Sequence, residues 1–228
     1  MTHARPPYPD RAAVGRELAG QLTEYAGRRD VLVLALARGG VPVAVPVAQA
    51  LHAPLDVLVV RKLGAPGRPE LAMGAVAAIE GAVEVVRNEQ IIRSLRVSTQ
   101  DVDRVSRSEV AELQRCEADY RQGRPPLSVR DRVVLLVDDG LATGTTARAA
   151  IAAVRTQNPA RVVLAVPIGA SENCLALRGT ADQVVCSWTP QPFRAVGQGY
   201  LDFAPTDDEQ VRQGLRQTAG IDRRRTVR

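Results

Sequence analysis

A chain of 228 residues, 45% hydrophobic and 24% charged, can bury one large core or two small ones, and those fractions exclude disordered, collagen-like and disulfide-rich classes. Its cysteines, Cys116, Cys174 and Cys186, form no C-x-x-C pair, and its most apolar window, 41–60, holds prolines, Gln49, His52 and Asp56; the reading is a cytoplasmic protein with reduced thiols and no membrane span. The net charge of +5 comes from basic residues of which Lys62 alone is lysine, and it is spread along the chain apart from a basic tail over 222–228, so charge by itself assigns no nucleic-acid partner.

Asp10 reads as an N-cap, and Val14, Leu18, Leu22 and Tyr25 recur behind it at helical spacing as far as Gly27. The uninterrupted apolar run 31–36 is expected as a strand buried on both faces. It stops at Arg38-Gly39-Gly40, and the small-residue segment 41–51 is expected to be helical despite Pro42 and Pro46. Residues 56–60 read as a second strand. The stretch 61–73, rich in Gly and Pro and without periodicity, reads as a mobile loop. Residues 75–79 and 83–86, around Glu80-Gly81-Ala82, look like a hairpin. Between 88 and 122, Val102, Val105, Leu113, Cys116 and Tyr120 line one side of one or two amphipathic helices, a helical insertion closed by Gly123 and Pro125-Pro126. Strands over 133–137, 162–166 and 184–186 then alternate with helices over 147–155 and 171–177, and a last helix covers 207–217. This order predicts a single α/β domain over 1–228, a Rossmann-like parallel β-sheet flanked by helices.

The most informative stretch runs from Val133 to Thr146. A buried strand delivers Asp138 and Asp139 to its carboxyl edge, where open α/β sheets bind ligands. Ala142, Thr143, Gly144, Thr145 and Thr146 then lead into a helix start, whose amides, hydroxyls and dipole suit a phosphate dianion. Carboxylates repel phosphate, so they must serve donors on the same ligand; vicinal sugar hydroxyls fit, and the inferred ligand is a ribose 5-phosphate moiety. A nucleotide P-loop would need a lysine after Gly140 at fixed spacing, which Thr145 and Thr146 do not supply. A receiver domain needs a lysine after its aspartates, and Lys62 precedes them. A plain structural turn has no use for two acids followed by Thr-Gly-Thr-Thr.

The run Val137-Asp138-Asp139-Gly140-Leu141-Ala142-Thr143-Gly144-Thr145-Thr146 resembles the phosphoribosyl-pyrophosphate (PRPP) signature of the type I phosphoribosyltransferases. Arg38-Gly39-Gly40 looks like that family's pyrophosphate loop. Arg61-Lys62-Leu63-Gly64-Ala65-Pro66-Gly67 resembles the Arg-Lys start of the flexible loop in adenine-type members, and 193–203 is similar to the base-binding hood of 6-oxopurine members, here a small C-terminal hood over 188–206. As a whole the chain resembles a bacterial phosphoribosyltransferase group of unassigned nucleobase. Four of its seven aromatic residues, Trp188, Phe193, Tyr200 and Phe203, fall within 188–203, which suggests a stacking platform with Phe193 and Tyr200 as base-binding residues.

The resemblance implies transfer of the 5-phosphoribosyl group from PRPP to a purine-like base with release of pyrophosphate, in a cytoplasmic homodimer. Asp138 and Asp139 would hold the ribose hydroxyls, Arg61 and Lys62 would clamp the leaving group as the loop closes over it, and Arg38, Gly39 and Gly40 would meet pyrophosphate. Mg²⁺ would be held through Asp138 and Asp139, with Asp202 as a further candidate. Glu70, in the loop, is a candidate proton acceptor. The pattern departs from 6-oxopurine enzymes at Ala142, where they carry an aspartate, and with Lys62 as its one lysine the chain also lacks their purine-reading lysine. The alternative class is a PRPP-sensing regulator that binds RNA or DNA, for which no helix-turn-helix or RNA-binding motif is visible; a third is a remnant site in a structural partner.

Overall fold

A computed structural model describes residues 7–223. Helix α1 (Arg11–Gly20) starts at Asp10, whose carboxylate accepts from Ala13 N–H at 2.7 Å. It is followed by β1 (Val31–Ala37), α2 (Val41–Leu51), β2 (Leu55–Ala65), β3 (Arg68–Ile79), β4 (Ala82–Arg87), α3 (Glu89–Ser94), α4 (Thr99–Arg121), β5 (Val133–Val137), α5 (Thr145–Arg155), β6 (Arg161–Ile168), α6 (Ser171–Leu177), β7 (Gln183–Trp188) and α7 (Asp208–Arg223). The strands form one sheet in the order β4-β3-β2-β1-β5-β6-β7. β2, β1, β5, β6 and β7 run parallel, and β3 and β4 return antiparallel at one edge.

The apolar runs form strands because both faces of the sheet are covered. Alternate residues of β1 enter two separate cores: Val31, Val33 and Ala35 face α1, α2 and α7, whereas Leu32, Leu34 and Leu36 face α5 and α6. Val133, Leu135 and Val137 of β5 repeat the first set, and Val134 and Leu136 the second. β2 leaves β1 on one side and β5 joins it on the other, so the strand order reverses between β1 and β5. Ligands of open α/β sheets sit at such a crevice, beyond the carboxyl ends of the strands.

Two segments differ from the sequence reading. The helical spacing through Leu22 and Tyr25 does not continue α1; the helix stops at Gly20, and a 3₁₀ turn over Thr23–Tyr25 carries both side chains into the core instead. The stretch 61–73 is not a mobile loop. β2 runs on to Ala65, turns at Pro66-Gly67 and returns as β3, with register shifts around Gly64 that accommodate Pro69. Leu63, Ala65 and Met73 are buried, a period-two signal that the Gly and Pro residues masked. The last helix continues past Gln217 to Arg223, and the rest of the basic tail, 224–228, lies outside the described residues.

The insertion is α3 and α4. α4 lies along β2, with Val102, Leu113 and Tyr120 buried, and its Arg121 forms an ion pair with the buried Asp56. Asp56 also accepts from Val57 N–H and Leu127 N–H, each at 2.8 Å, so the buried carboxylate is fully partnered. Among the described residues no helix is long and apolar enough to cross a membrane.

Asp10→Ala removes a cap that satisfies one orphan amide of α1 and is expected to cost about 1 kcal/mol, read as a drop in Tm of about 3 °C.

Candidate active site

The loops after β1 and β5 meet at the switch point. Gly40 lies against the end of β5: a Cβ there would fall 2.5 Å from the Val137 carbonyl oxygen and 3.0 Å from Asp138 Cα, so a side chain would push the two loops apart. The neighbouring Gly39 faces the Asp139 carboxylate directly. The Ala37–Arg38 peptide, which opens this turn, is cis. Arg38 stands half-exposed, with an ion pair to Asp208 at the start of α7 (3.5 Å). At that length and exposure the pair is weak, and Arg38 is free to exchange it for a ligand.

Asp138 and Asp139 follow β5 directly and have different partners. Asp138 accepts Asp139 N–H at 2.8 Å. Burial pushes its pKa well above the ordinary carboxylate value, the Asp139 charge adds to the shift, and Arg11 and Lys62 oppose it. Asp139 is held from α1: Arg11 Nε donates to its Oδ2 at 2.9 Å and Nη2 lies 2.8 Å from the same oxygen. Arg11 also donates to the Ala204 carbonyl at 2.7 Å and lies 4.0 Å from the centre of the Phe203 ring. Burial raises the Asp139 pKa and Arg11 lowers it, with burial the larger effect. Arg11 was not legible as a site residue, yet its position carried a signal: a cation in the first turn of a helix that has no acid there opposes the helix dipole.

The phosphate loop is tied from behind. Leu141 bridges to Gly169 after β6, donating to the Ile168 carbonyl at 2.8 Å and accepting from Ala170 N–H at 2.9 Å. Asn173 of α6 donates to the Ala142 carbonyl at 2.5 Å. Gly144 has φ +76°, a left-handed turn that glycine adopts without strain, and it starts α5. Thr143 and Thr145 place their hydroxyl oxygens 3.2 Å apart at the mouth, with Thr146 half-buried behind them.

The surroundings of four sequence candidates are as follows. Successive strand residues point to opposite faces, so Arg61 and Lys62 part company: Arg61 is bound by Glu109 of α4 (2.8 Å), and the exposed Lys62 is the one whose charge acts on Asp138. Tyr200 is packed within the hood. It is 6% exposed, stacks on Phe203 at 4.9 Å between ring centres, and donates its hydroxyl to the Asp139 carbonyl at 2.5 Å. Its pKa is raised, chiefly by burial and then by the Asp139 charge. Asp202 turns its carboxylate onto Ala204 N–H (2.9 Å). Among the described residues no three His, Cys, Asp or Glu side chains come together as a metal cage. Glu70, placed in β3 of the hairpin, is exposed.

Phe193 is half-buried at the edge of the first core. The hood that carries it is pinned to the start of the chain. Tyr8 N–H donates to the Gly199 carbonyl and Leu201 N–H to the Tyr8 carbonyl, both at 2.7 Å, and Trp188 meets the Tyr8 ring edge-on at 6.3 Å. Mg²⁺ binds through one or two carboxylates plus substrate oxygens and needs no all-protein cage. Asp138 fits that donor set, since its carboxylate has no ion-pair partner among the described residues, whereas Asp139 Oδ2 is taken by Arg11.

A mostly parallel sheet with a glycine turn, an acid pair and a threonine loop at its switch point defines an open α/β protein with a candidate ligand crevice at its strands' carboxyl ends. A family model described as the phosphoribosyl transferase domain matches residues 8–84 and 80–195, and the chain belongs to that family. It is 47% identical over 204 residues to two curated Mycobacterium tuberculosis proteins (strains CDC 1551 / Oshkosh and ATCC 25618 / H37Rv), each named "putative phosphoribosyl transferase". The match takes in 90% of this chain and 45% of theirs, so the chain spans about half the length of these relatives. It is also similar to the crystal structure of TT1426 from Thermus thermophilus, at 40% identity and a TM-score of 0.77, over 93% of this chain and 99% of that one.

Proposed function

We propose that the chain transfers the 5-phosphoribosyl group of PRPP to a ring nitrogen of a purine-like base, releasing pyrophosphate. The observation that carries this reading is the direct approach of Gly39 to the Asp139 carboxylate, which joins a pyrophosphate-type turn to a ribose-type acid beside the threonine loop. The 5-phosphate lies against Thr143, Gly144, Thr145 and Thr146, at the start of α5. Asp138 and the free oxygen of Asp139 accept the ribose hydroxyls and steady the positive charge that develops on the sugar. Arg38 and Lys62 meet the departing pyrophosphate, and the Gly39-Gly40 backbone lets it come close. Asp138 would hold Mg²⁺, which would supply charge neutralisation for the leaving group. The attacking nitrogen belongs to the base, so the chain needs no nucleophile of its own. A cytoplasmic setting suits Cys174 and Cys186, free thiols lying against the same glycine, Gly169.

The test is pyrophosphate release from PRPP and Mg²⁺ with a panel of nucleobases. Release with a purine supports the reading. No release with any base, together with salt-dependent binding of RNA or DNA, would replace it by the regulator. Phe193→Ala is expected to raise the KM for the base about tenfold, the worth of one stacked ring, and to leave the KM for PRPP unchanged. A change confined to PRPP would remove Phe193 from the base site.

A further inference from the structure

A cavity of about 400 Å³ lies beside the phosphate loop. Thr143, Thr145 and Arg148 form one wall, and Val86, Arg87, Asn88 and Glu89, from the end of β4 and the start of α3, form the other. Arg148 lies one turn into α5 and is half-buried; its Nε lies 3.9 Å from the place a Cβ would take on Gly144. Among the described residues its guanidinium has no ion pair and no hydrogen bond, while Arg11, Arg61 and Arg121 are each matched to a carboxylate. Across the cavity Arg87 is exposed, and its pair with Asp103 is long, at 3.4 Å, and open to solvent. Asn88 uses its side-chain oxygen to cap α3 at Ile91 N–H (3.2 Å), which leaves its amide donors over. Glu89 is the one acid of the lining and is exposed, so two guanidiniums outnumber it.

A guanidinium partly withdrawn from water with no counterion bears a desolvation cost that a bound anion offsets, and the fork of an arginine matches phosphate oxygens two at a time. The loop beside it is made of hydroxyls and a helix start, the chemistry of a phosphate monoester. From these neighbours we infer that Arg148, with Arg87 facing it, binds the 5-phosphate of the substrate beside the threonine loop. The edge of the insertion thereby closes a phosphate pocket that the signature run alone leaves open. The inference rests on the ribose 5-phosphate reading of that loop and adds the side chains that select a dianionic phosphate over a bare sugar.

Calorimetry on the full chain with ribose 5-phosphate, inorganic phosphate, ribose and pyrophosphate tests it. The wild-type chain is expected to bind ribose 5-phosphate more tightly than inorganic phosphate and to show no binding of ribose. Arg148→Gln is expected to weaken ribose 5-phosphate about tenfold or more, Arg148→Lys to recover part of the loss, and pyrophosphate affinity to stay unchanged. Wild-type binding of ribose 5-phosphate that Arg148→Gln leaves intact would overturn the role of Arg148 and leave the loop reading standing. No wild-type binding of ribose 5-phosphate would overturn the loop reading itself. Should Arg148→Gln fail to fold, Arg87→Gln at the exposed wall carries the same comparison, with a loss of affinity expected and an unchanged one overturning the pocket.

Discussion

Asp138→Asn is expected to weaken PRPP binding about a hundredfold, the loss of charge-assisted hydrogen bonds to sugar hydroxyls, and at neutral pH to make the ligand-free chain more stable. Both effects come from one cause. The Asp138 carboxylate is buried beside Asp139, and its pKa is raised well above the ordinary value of about 4. Between that value and the raised one, the folded chain holds a proton that the unfolded chain has released. Stability therefore falls as pH rises through this window, because the unfolded state binds fewer protons there. The contribution of a neutral Asp138 is fully present below the ordinary carboxylate pKa and gone above the raised one. Asn has no proton to lose and keeps the acceptor for Asp139 N–H, so the gain in Tm over wild type should grow from pH 4 to pH 8. PRPP affinity runs the other way in wild type, rising with pH as Asp138 ionises, and should rise less steeply in the variant, where Asp139 alone of the pair still titrates. A stability difference independent of pH would remove the buried charge from this account.

What could be read beforehand was whatever local chemistry decides. β1 and β5 are apolar on both faces, and α6 appears with the bounds its spacing gave. The run from Asp138 to Thr146 was legible as the passage from a buried strand to a helix start, which is where β5 ends and α5 begins. The stretch 61–73 failed for a stated reason. Gly64, Pro66, Gly67 and Pro69 are turn residues in isolation, but Leu63, Ala65 and Met73 have a core to enter once β4 and α4 are in place, and that core is not local. The aromatic enrichment in the hood was legible but its pairings were not: Trp188, Tyr200 and Phe203 pack on Tyr8, Arg11 and one another, contacts made between distant parts of the chain.

The insertion was legible as helix and illegible in purpose. Its use lies in partners far along the chain. Glu109 takes Arg61, and Tyr120 donates to Asp208 at 2.7 Å, the same acid that meets Arg38. Two cations on the site's rim are thus matched by acids that α4 carries or anchors, so the insertion sets how strongly each is held when no ligand is present. Periodicity reports only which face of α4 is apolar and is blind to such pairings.

Arg11→Ala is expected to cost about 3 kcal/mol of stability, the low end for stripping one partner from a buried pair, and to raise the KM for PRPP at neutral pH. The side chains of Arg11 and Asp139 are 11% and 16% exposed, so water cannot replace the lost cation. Asp139 would be left beside Asp138 with its main compensating charge gone, and both acids would hold protons to higher pH. The hood would also lose its tie to α1 through the Ala204 carbonyl and the Phe203 ring. The two consequences separate by pH. A purely structural loss lowers PRPP affinity equally at every pH, whereas protonated acids recover it as pH rises. Arg11→Lys keeps the charge without the fork and should restore the pH profile more fully than the melting temperature. An Arg11→Ala chain that melts with wild type, or binds PRPP with the same pH dependence, would show that Asp139 is held without help from α1.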